Sequence, residues 1–71
     1  MIRFSEHVSE RSVKRKISKA QIIEVIKHAE QIKESFRERK LRRKRFGAKI
    51  LEVVTVTEGT KIIVDLLRIT T

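Results

Sequence analysis

The chain has 71 residues and no cysteine, and its 18 lysines and arginines against nine acids give a net charge of +9. This length allows one domain, and the absence of cysteine excludes a disulfide framework and a cysteine-based zinc site. So large a charge on so small a domain attracts polyanions. The charged fraction of 38% and the lack of asparagine are typical of a heat-adapted protein.

No signal peptide or membrane span is expected. Residues 1–4 lack the apolar region of a signal peptide. The longest apolar-rich stretch, residues 50–69, is interrupted by five charged residues, whereas a membrane span needs about 20 predominantly apolar ones. We therefore expect a cytoplasmic protein without membrane contact. So small a core could also be extended by a homodimer.

The N-terminus predicts a short strand over residues 2–4 and then a helix that Ser5 can N-cap. His7 and Arg11 share one face of that helix, and Arg15 extends it. A histidine beside guanidinium groups could act as general acid or base in RNA cleavage, while arginine holds the phosphate charge. The alternative is structural, because a histidine at a helix start more often packs or caps.

A second helix is predicted from about Lys19 to about Ala29. Ser18 and Gln21 match a capping box, and the isoleucines on either side of the cap are spaced for a hydrophobic staple. The apolar residues that follow fall on one helical face. His28 lies late in this helix, where a cation suits the helix dipole, and we assign it no chemistry.

Residues 30–46 are open to two interpretations. No glycine or proline interrupts them, so the second helix could continue. Phe36, Leu41 and Phe46 are five residues apart, a spacing that keeps no helical face. We therefore favour one or two strands at the edge of a sheet, where many lysines and arginines are tolerated.

The segments 50–57 and 61–67 are rich in β-branched residues and predict the central hairpin of a sheet. A two-residue loop at Glu58-Gly59 would pair Val53 with Val64 and place Glu52 opposite Asp65. Arginines nearby, such as Arg43 or Arg45, would neutralise these two acids. Two carboxylates without a third ligand make a poor metal site, so we expect no metal and no other cofactor.

These elements predict a small single α+β domain of order β-α-α-β-β-β. Two helices would pack on one face of an antiparallel sheet.

Residues 37–45 hold the densest positive charge in the chain. Its seven cations are Arg37, Arg39, Lys40, Arg42, Arg43, Lys44 and Arg45. Arginine binds phosphate groups bidentately and stacks on bases. We therefore expect this cluster, together with Arg15, to bind nucleic acid, with RNA favoured and DNA the alternative. A solvated edge strand whose charges prevent aggregation is the structural explanation of the same residues.

Several segments of the chain resemble a known family. The run Phe4-Ser5-Glu6-His7-Val8-Ser9-Glu10-Arg11, with residues 13–18 after it, resembles the F-T-x-H-A-x-E-R-M-x-x-R-G-I-S opening of the domain-of-unknown-function family 4258. Residues 44–47 and 51–54 resemble its K-R-I-G-G and L-x-V-V strands. Residues 62–70 lie where the family closes with a strand of the V-V-T-A-Y kind, so the resemblance covers nearly the whole chain. Val8 stands where alanine is usual, Lys16 where glycine is usual, and Asp65 where threonine is usual.

The family is similar to small toxin-like domains of toxin–antitoxin modules, among them the BrnT and RelE-like ribonucleases. This resemblance implies a small α/β sandwich, binding or metal-independent cleavage of RNA, and an acidic antitoxin-like partner. It makes His7, Arg11 and Lys44 the candidates for catalysis, with Arg15 and Arg45 as further matching positions.

Three functional hypotheses follow. The first is a toxin-like RNA-binding domain that is also a ribonuclease. The second is a non-catalytic nucleic-acid-binding module, whose affinity would depend steeply on salt. The third is a protein–protein module whose basic face docks an acidic partner.

Overall fold

The computed structural model describes residues 2–35 and 37–70. Its elements are β1 (Ile2–Phe4), α1 (Glu6–Lys14), α2 (Lys19–His28), β2 (Gln31–Glu34), β3 (Arg39–Phe46), β4 (Lys49–Glu58) and β5 (Lys61–Thr70). The sheet order is β1-β5-β4-β3-β2, and only the β1–β5 pair is parallel. The predicted α+β class with two helices on one face is confirmed, with one strand more than expected.

Both helices begin at the predicted caps. The Ser5 hydroxyl accepts a hydrogen bond from the Val8 amide at 3.2 Å. The capping box of α2 is complete, because the Gln21 amide donates to the Ser18 hydroxyl and the Ser18 amide donates to the Gln21 side chain, both at 3.1 Å. These bonds satisfy amide groups that the helix itself leaves unpaired.

The core lies between the two helices and the central strands. Val8 of α1, Ile22 and Val25 of α2, Val53 of β4 and Val64 of β5 are completely buried together. The other buried apolar side chains of this core are Ile17, Ile26, Leu51 and Leu67. Over residues 2–35 and 37–70, no helix has the length and apolar content that crossing a membrane requires.

The turn after α1 forces Lys16 into a backbone conformation that suits glycine. The Ile17 amide donates to the Ser12 carbonyl at 2.9 Å, and the Lys16 amide donates to the Val13 carbonyl at 3.2 Å. This pair of bonds is a Schellman motif. Its C′ residue, Lys16, has a φ of +56°, at the position where the family resemblance has glycine.

Replacing Lys16 by glycine is expected to stabilise the domain by about 1 kcal/mol, because the left-handed conformation crowds the Cβ atom of any other residue. The free energy of unfolding in urea measures the effect. Lys16→Ala is the control, since it removes the same charge and keeps the Cβ atom. Equal stability of the two variants would attribute any gain to charge and contradict the conformational explanation.

The register of the β4–β5 hairpin differs from the prediction. The two-residue loop is Gly59-Thr60, because Gly59 takes a φ of +60° at the first loop position. Val64 therefore pairs with Thr55 and not with Val53. A tight hairpin was expected and is present, but its loop begins one residue later, which moves every cross-strand pair.

A β-bulge separates the two acids that were predicted to face each other. The register shifts between Val54 and Thr55, and Asp65 is the extra residue of β5 at that point. Glu52 pairs with Arg68 across β4 and β5. The predicted Glu52–Asp65 pair is therefore wrong.

Residues 30–46 form two strands and no helical extension. β2 is an edge strand, and all four of its residues are exposed. β3 pairs with β2 on one side and β4 on the other, so the predicted edge position is correct for β2 and wrong for β3. Phe36 lies outside the described residues. Because side chains alternate along a strand, β3 directs its cations to both faces of the sheet.

Candidate nucleic-acid interface

Three arginines of β3 lie on the helix-free face of the sheet, namely Arg39, Arg43 and Arg45. Arg43 Nε donates to Glu52 Oε2 at 2.6 Å, and Glu52 is only 3% exposed. Arg39 Nη1 donates to Asp65 Oδ2. The expected neutralisation of both acids by arginine is present, with Arg43 on Glu52 as predicted and Arg39 on Asp65. Two of these three arginines are therefore already paired.

The other cations of β3 lie on the side that faces the helices. Arg42 Nη1 donates to the Ile26 carbonyl in the last turn of α2 at 2.7 Å, and its Nε donates to Thr55 Oγ1 at 3.2 Å. Lys44 Nζ donates to Glu24 Oε2 at 2.6 Å. This hydrogen bond from Lys44 lowers the pKa of Glu24 below its ordinary value. Arg42 and Lys44 thus fasten β3 to α2.

The cluster of residues 37–45 is therefore divided between two faces. Four of its seven cations are held by a carboxylate or a backbone carbonyl. In the described part of the chain, the side chains of Arg37, Lys40 and Arg45 make no ion pair. Charge that is dense in the sequence is spread out and partly neutralised in the fold.

Positive charge without ion pairs gathers around the C-terminal end of α1. Three adjoining depressions of about 260, 80 and 70 Å³ meet there, and Arg15 lines all three. We call this surface the basic groove. Its lining cations are Arg11, Lys14, Arg15, Lys16, Lys49 and Arg68. Among the described residues that line it, Glu10 is the one carboxylate.

The groove collects residues from distant parts of the chain. α1 and its Schellman turn supply the cations of residues 11–16. Lys49 begins β4 after a two-residue turn whose glycine, Gly47, has a φ of +63°. Arg68 lies where the edge of β5 is open, because β1 pairs only with residues 62–64. None of the groove cations forms an ion pair with any residue that the structure describes.

The candidates for catalysis are only partly brought together. His7 is exposed and lines the largest depression of the groove with Arg11. Lys44 lines a separate depression with Glu30, Gln31, Arg43, Arg45 and Ile50. His7 and Lys44 therefore line different depressions. Residues 2–35 and 37–70 also contain no group of three or more histidines and acids that could hold a metal ion.

Sequence reasoning did not select Lys14, Lys16 or Arg68 as binding residues. Lys14 lies three residues after Arg11 on the same helix, and this spacing could have indicated a shared helical surface. Lys16 and Arg68 join the groove only through the turn after α1 and the open edge of β5. No short-range pattern in the sequence predicts that meeting.

One family model, described as domain of unknown function (DUF4258), matches residues 4–68 of the chain. No curated protein and no solved structure shows a significant match. The matched range includes every cation of the basic groove as well as all of β3.

Proposed function

Because the chain belongs to the DUF4258 family, whose function is undefined, we propose a function from its own surface: the domain binds RNA through the basic groove. One observation carries this proposal. Six cations without ion pairs line three adjoining depressions that contain a single carboxylate, Glu10, among their described residues. RNA phosphates would supply the negative charge that the fold does not place there.

The unpaired state of these cations is the reason to assign them a ligand. Like charges held close together repel, and a phosphate chain along the groove would remove that repulsion and release its own bound counterions. Arg11 and Arg15 can each bind one phosphate through two parallel hydrogen bonds. The paired cations of β3 would first have to give up Glu52, Asp65 or Glu24.

A flexible single strand suits the groove better than a duplex. Depressions of about 70 to 260 Å³ have room for a phosphate group or a base of a single strand and are too small for a double helix. The resemblance to toxin-like ribonucleases supports RNA as the polymer.

Metal-independent RNA cleavage is a second candidate function, favoured by the shared depression of His7 and Arg11. His7 would accept the proton of the ribose hydroxyl as a general base or donate a proton to the leaving oxygen as a general acid. Arg11 would bind the negatively charged phosphate. Lys44 donates a hydrogen bond to Glu24 and lines a different depression. It therefore takes no part in this proposal. Cleavage that persists in EDTA and is lost in His7→Ala would support it, and intact RNA with the wild-type protein would refute it.

We expect labelled single-stranded RNA to bind with an affinity that falls steeply with salt, by about 0.7 log units per log unit of salt for each phosphate contact. Lys49→Gln should remove about one contact from this slope. Lys61→Gln is the matched control, because Lys49 and Lys61 are both exposed and both begin a strand after a glycine-containing two-residue turn. Lys61 lies at the opposite end of the sheet.

Equal losses in Lys49→Gln and Lys61→Gln would contradict the groove as the binding surface. Failure of both single-stranded RNA and duplex DNA to bind near 150 mM salt would refute the proposed function. It would leave an acidic protein as the ligand of the basic face. Electrophoresis of the same RNA samples on a denaturing gel tests cleavage in the same experiment.

A further inference from the structure

One depression of the basic groove combines an apolar floor with an aromatic ring. It measures about 80 Å³, and its apolar lining residues are Ile17, Phe46, Leu51 and Ile69. Ile17 and Leu51 belong to the buried core, and Phe46 and Ile69 pack against that core while remaining half-exposed. The depression of about 260 Å³ in the same groove, in contrast, is lined only by charged side chains and a histidine. Phosphate binding alone does not require an apolar floor.

A side-chain amide stands at the wall of this depression with hydrogen-bonding capacity to spare. Gln21 lines the depression, and its oxygen Oε1 accepts from the Ser18 amide at 3.1 Å within the capping box. That bond fixes the side chain and leaves the amide nitrogen Nε2 as a donor, with no partner among the described residues. An aromatic ring, aliphatic neighbours and a fixed amide donor together match a nucleobase, which has apolar faces and polar edges.

We propose that this depression is a nucleobase subsite for single-stranded RNA, an inference that rests on the proposed RNA-binding function. One unpaired base packs against Phe46 and Ile69, and an acceptor on its edge receives a hydrogen bond from Gln21 Nε2. Arg15 and Lys49, at the rim of the same depression, contact the phosphates on either side of that base. A base pair does not fit a space of about 80 Å³, so the subsite selects unpaired segments.

The test compares an oligouridine octamer with an abasic ribose-phosphate octamer of equal charge. Wild-type protein is expected to bind oligouridine more tightly, because only oligouridine has bases to place in the subsite. Phe46→Leu should weaken oligouridine binding by about tenfold, the effect typical of losing one base–aromatic stack. It should leave binding of the abasic octamer and the salt slope unchanged.

Phe4→Leu is the matched control for the fold. Phe4 is also a half-exposed ring packed against the core, but it is not among the residues that line the groove. Its replacement should change neither octamer's affinity. Gln21→Leu serves as a second measurement, because α2 loses half of its capping box in this variant. It should also weaken binding of oligouridine and leave binding of the abasic octamer unchanged.

The outcomes distinguish a failure of the nucleobase subsite from a failure of the proposed RNA-binding function. Equal binding of both octamers by the wild type, or no effect of Phe46→Leu on oligouridine, would overturn the subsite and leave phosphate binding intact. A loss of both octamers in Phe46→Leu would also overturn it, since the ring would then act through the fold. If neither octamer binds to the wild type, the proposed function fails and the subsite fails with it.

Discussion

Arg43→Leu is expected to lower the free energy of unfolding by about 3 kcal/mol, whereas Glu52→Leu should cost much less although it removes the same ion pair. Glu52 is 3% exposed on the helix-free face, and Arg43 Nε donates to its carboxylate at 2.6 Å. Loss of Arg43 leaves a buried carboxylate without this partner. Loss of Glu52 leaves an arginine whose side chain is 47% exposed and can return to water.

The total stability of a domain of this size is roughly 7 kcal/mol, so the Arg43→Leu loss would be measurable in urea as a large shift of the midpoint. Arg68, the cross-strand neighbour of Glu52 on β5, keeps the expected loss at the lower end of the range for broken buried pairs. The double variant Arg43→Leu with Glu52→Leu should recover most of the stability, because no charge is then left buried.

Repulsion from the net charge predicts the opposite order of stability for the two single variants, so the comparison decides between long-range repulsion and local desolvation. Removing Arg43 lowers the net charge from +9, which relieves repulsion, while removing Glu52 raises it. If Glu52→Leu were the less stable single variant, long-range repulsion would outweigh local desolvation at this pair. A double variant as unstable as Arg43→Leu alone would show that the arginine stabilises the sheet through its packing.

The starts of both helices could be predicted because their signals are local. A cap is a hydrogen bond between residues three apart, as between Ser18 and Gln21, and the chain between them allows few other arrangements. The end of α1 carried no such signal. Lys16 adopts a positive φ that lysine disfavours, and the surrounding Schellman hydrogen bonds impose this conformation on it.

The pairing of the strands depended on features that a sequence pattern does not contain. Gly59 could occupy either position of a two-residue loop, and the difference of one position changes every pair in the hairpin. The bulge at Asp65 then shifts the register once more. The β-branched residues of the two segments still predicted the central hairpin, because shifts of this kind conserve the apolar character of the strands.

The candidate site was the least predictable part because it depends both on the turn at the end of α1 and on the pairing of the strands. Once β3 is an interior strand, alternate cations must face the helices, and Arg42 and Lys44 find partners on α2. The dense positive charge of residues 37–45, which was expected to bind nucleic acid, therefore belongs largely to a strand that is stabilised by ion pairs. The six cations of the basic groove, which make no ion pair with any described residue, lie where a helix end, a turn and an open strand edge meet.

Arg11→Gln combined with Arg15→Gln is expected to weaken single-stranded RNA binding by about 25-fold near 0.1 M salt. Two lost phosphate contacts should reduce the salt slope by about 1.4, which at that salt corresponds to this loss of affinity. Arg11 and Arg15 together line two of the three depressions of the basic groove. The double variant therefore affects most of the groove. Fluorescence anisotropy across a salt series measures both quantities.

The matched control is Arg37→Gln combined with Arg45→Gln. It makes the same change in charge and uses the two arginines of residues 37–45 whose side chains make neither a hydrogen bond nor an ion pair with any described residue. Its salt slope should equal that of the wild type. Gln is a good helix former, so α1 should persist in the groove variant, and far-UV circular dichroism checks that it does.

The two double variants distinguish two kinds of basic surface. If affinity depends on the basic groove, the loss must follow Arg11 and Arg15, since Arg37 and Arg45 also lack ion pairs but lie outside the groove. If it depends on sequence density, the loss must follow Arg37 and Arg45, which flank the paired cations of β3. Equal losses would mean that RNA binds to the overall charge of +9 without a defined groove, and the nucleobase subsite would then have no basis.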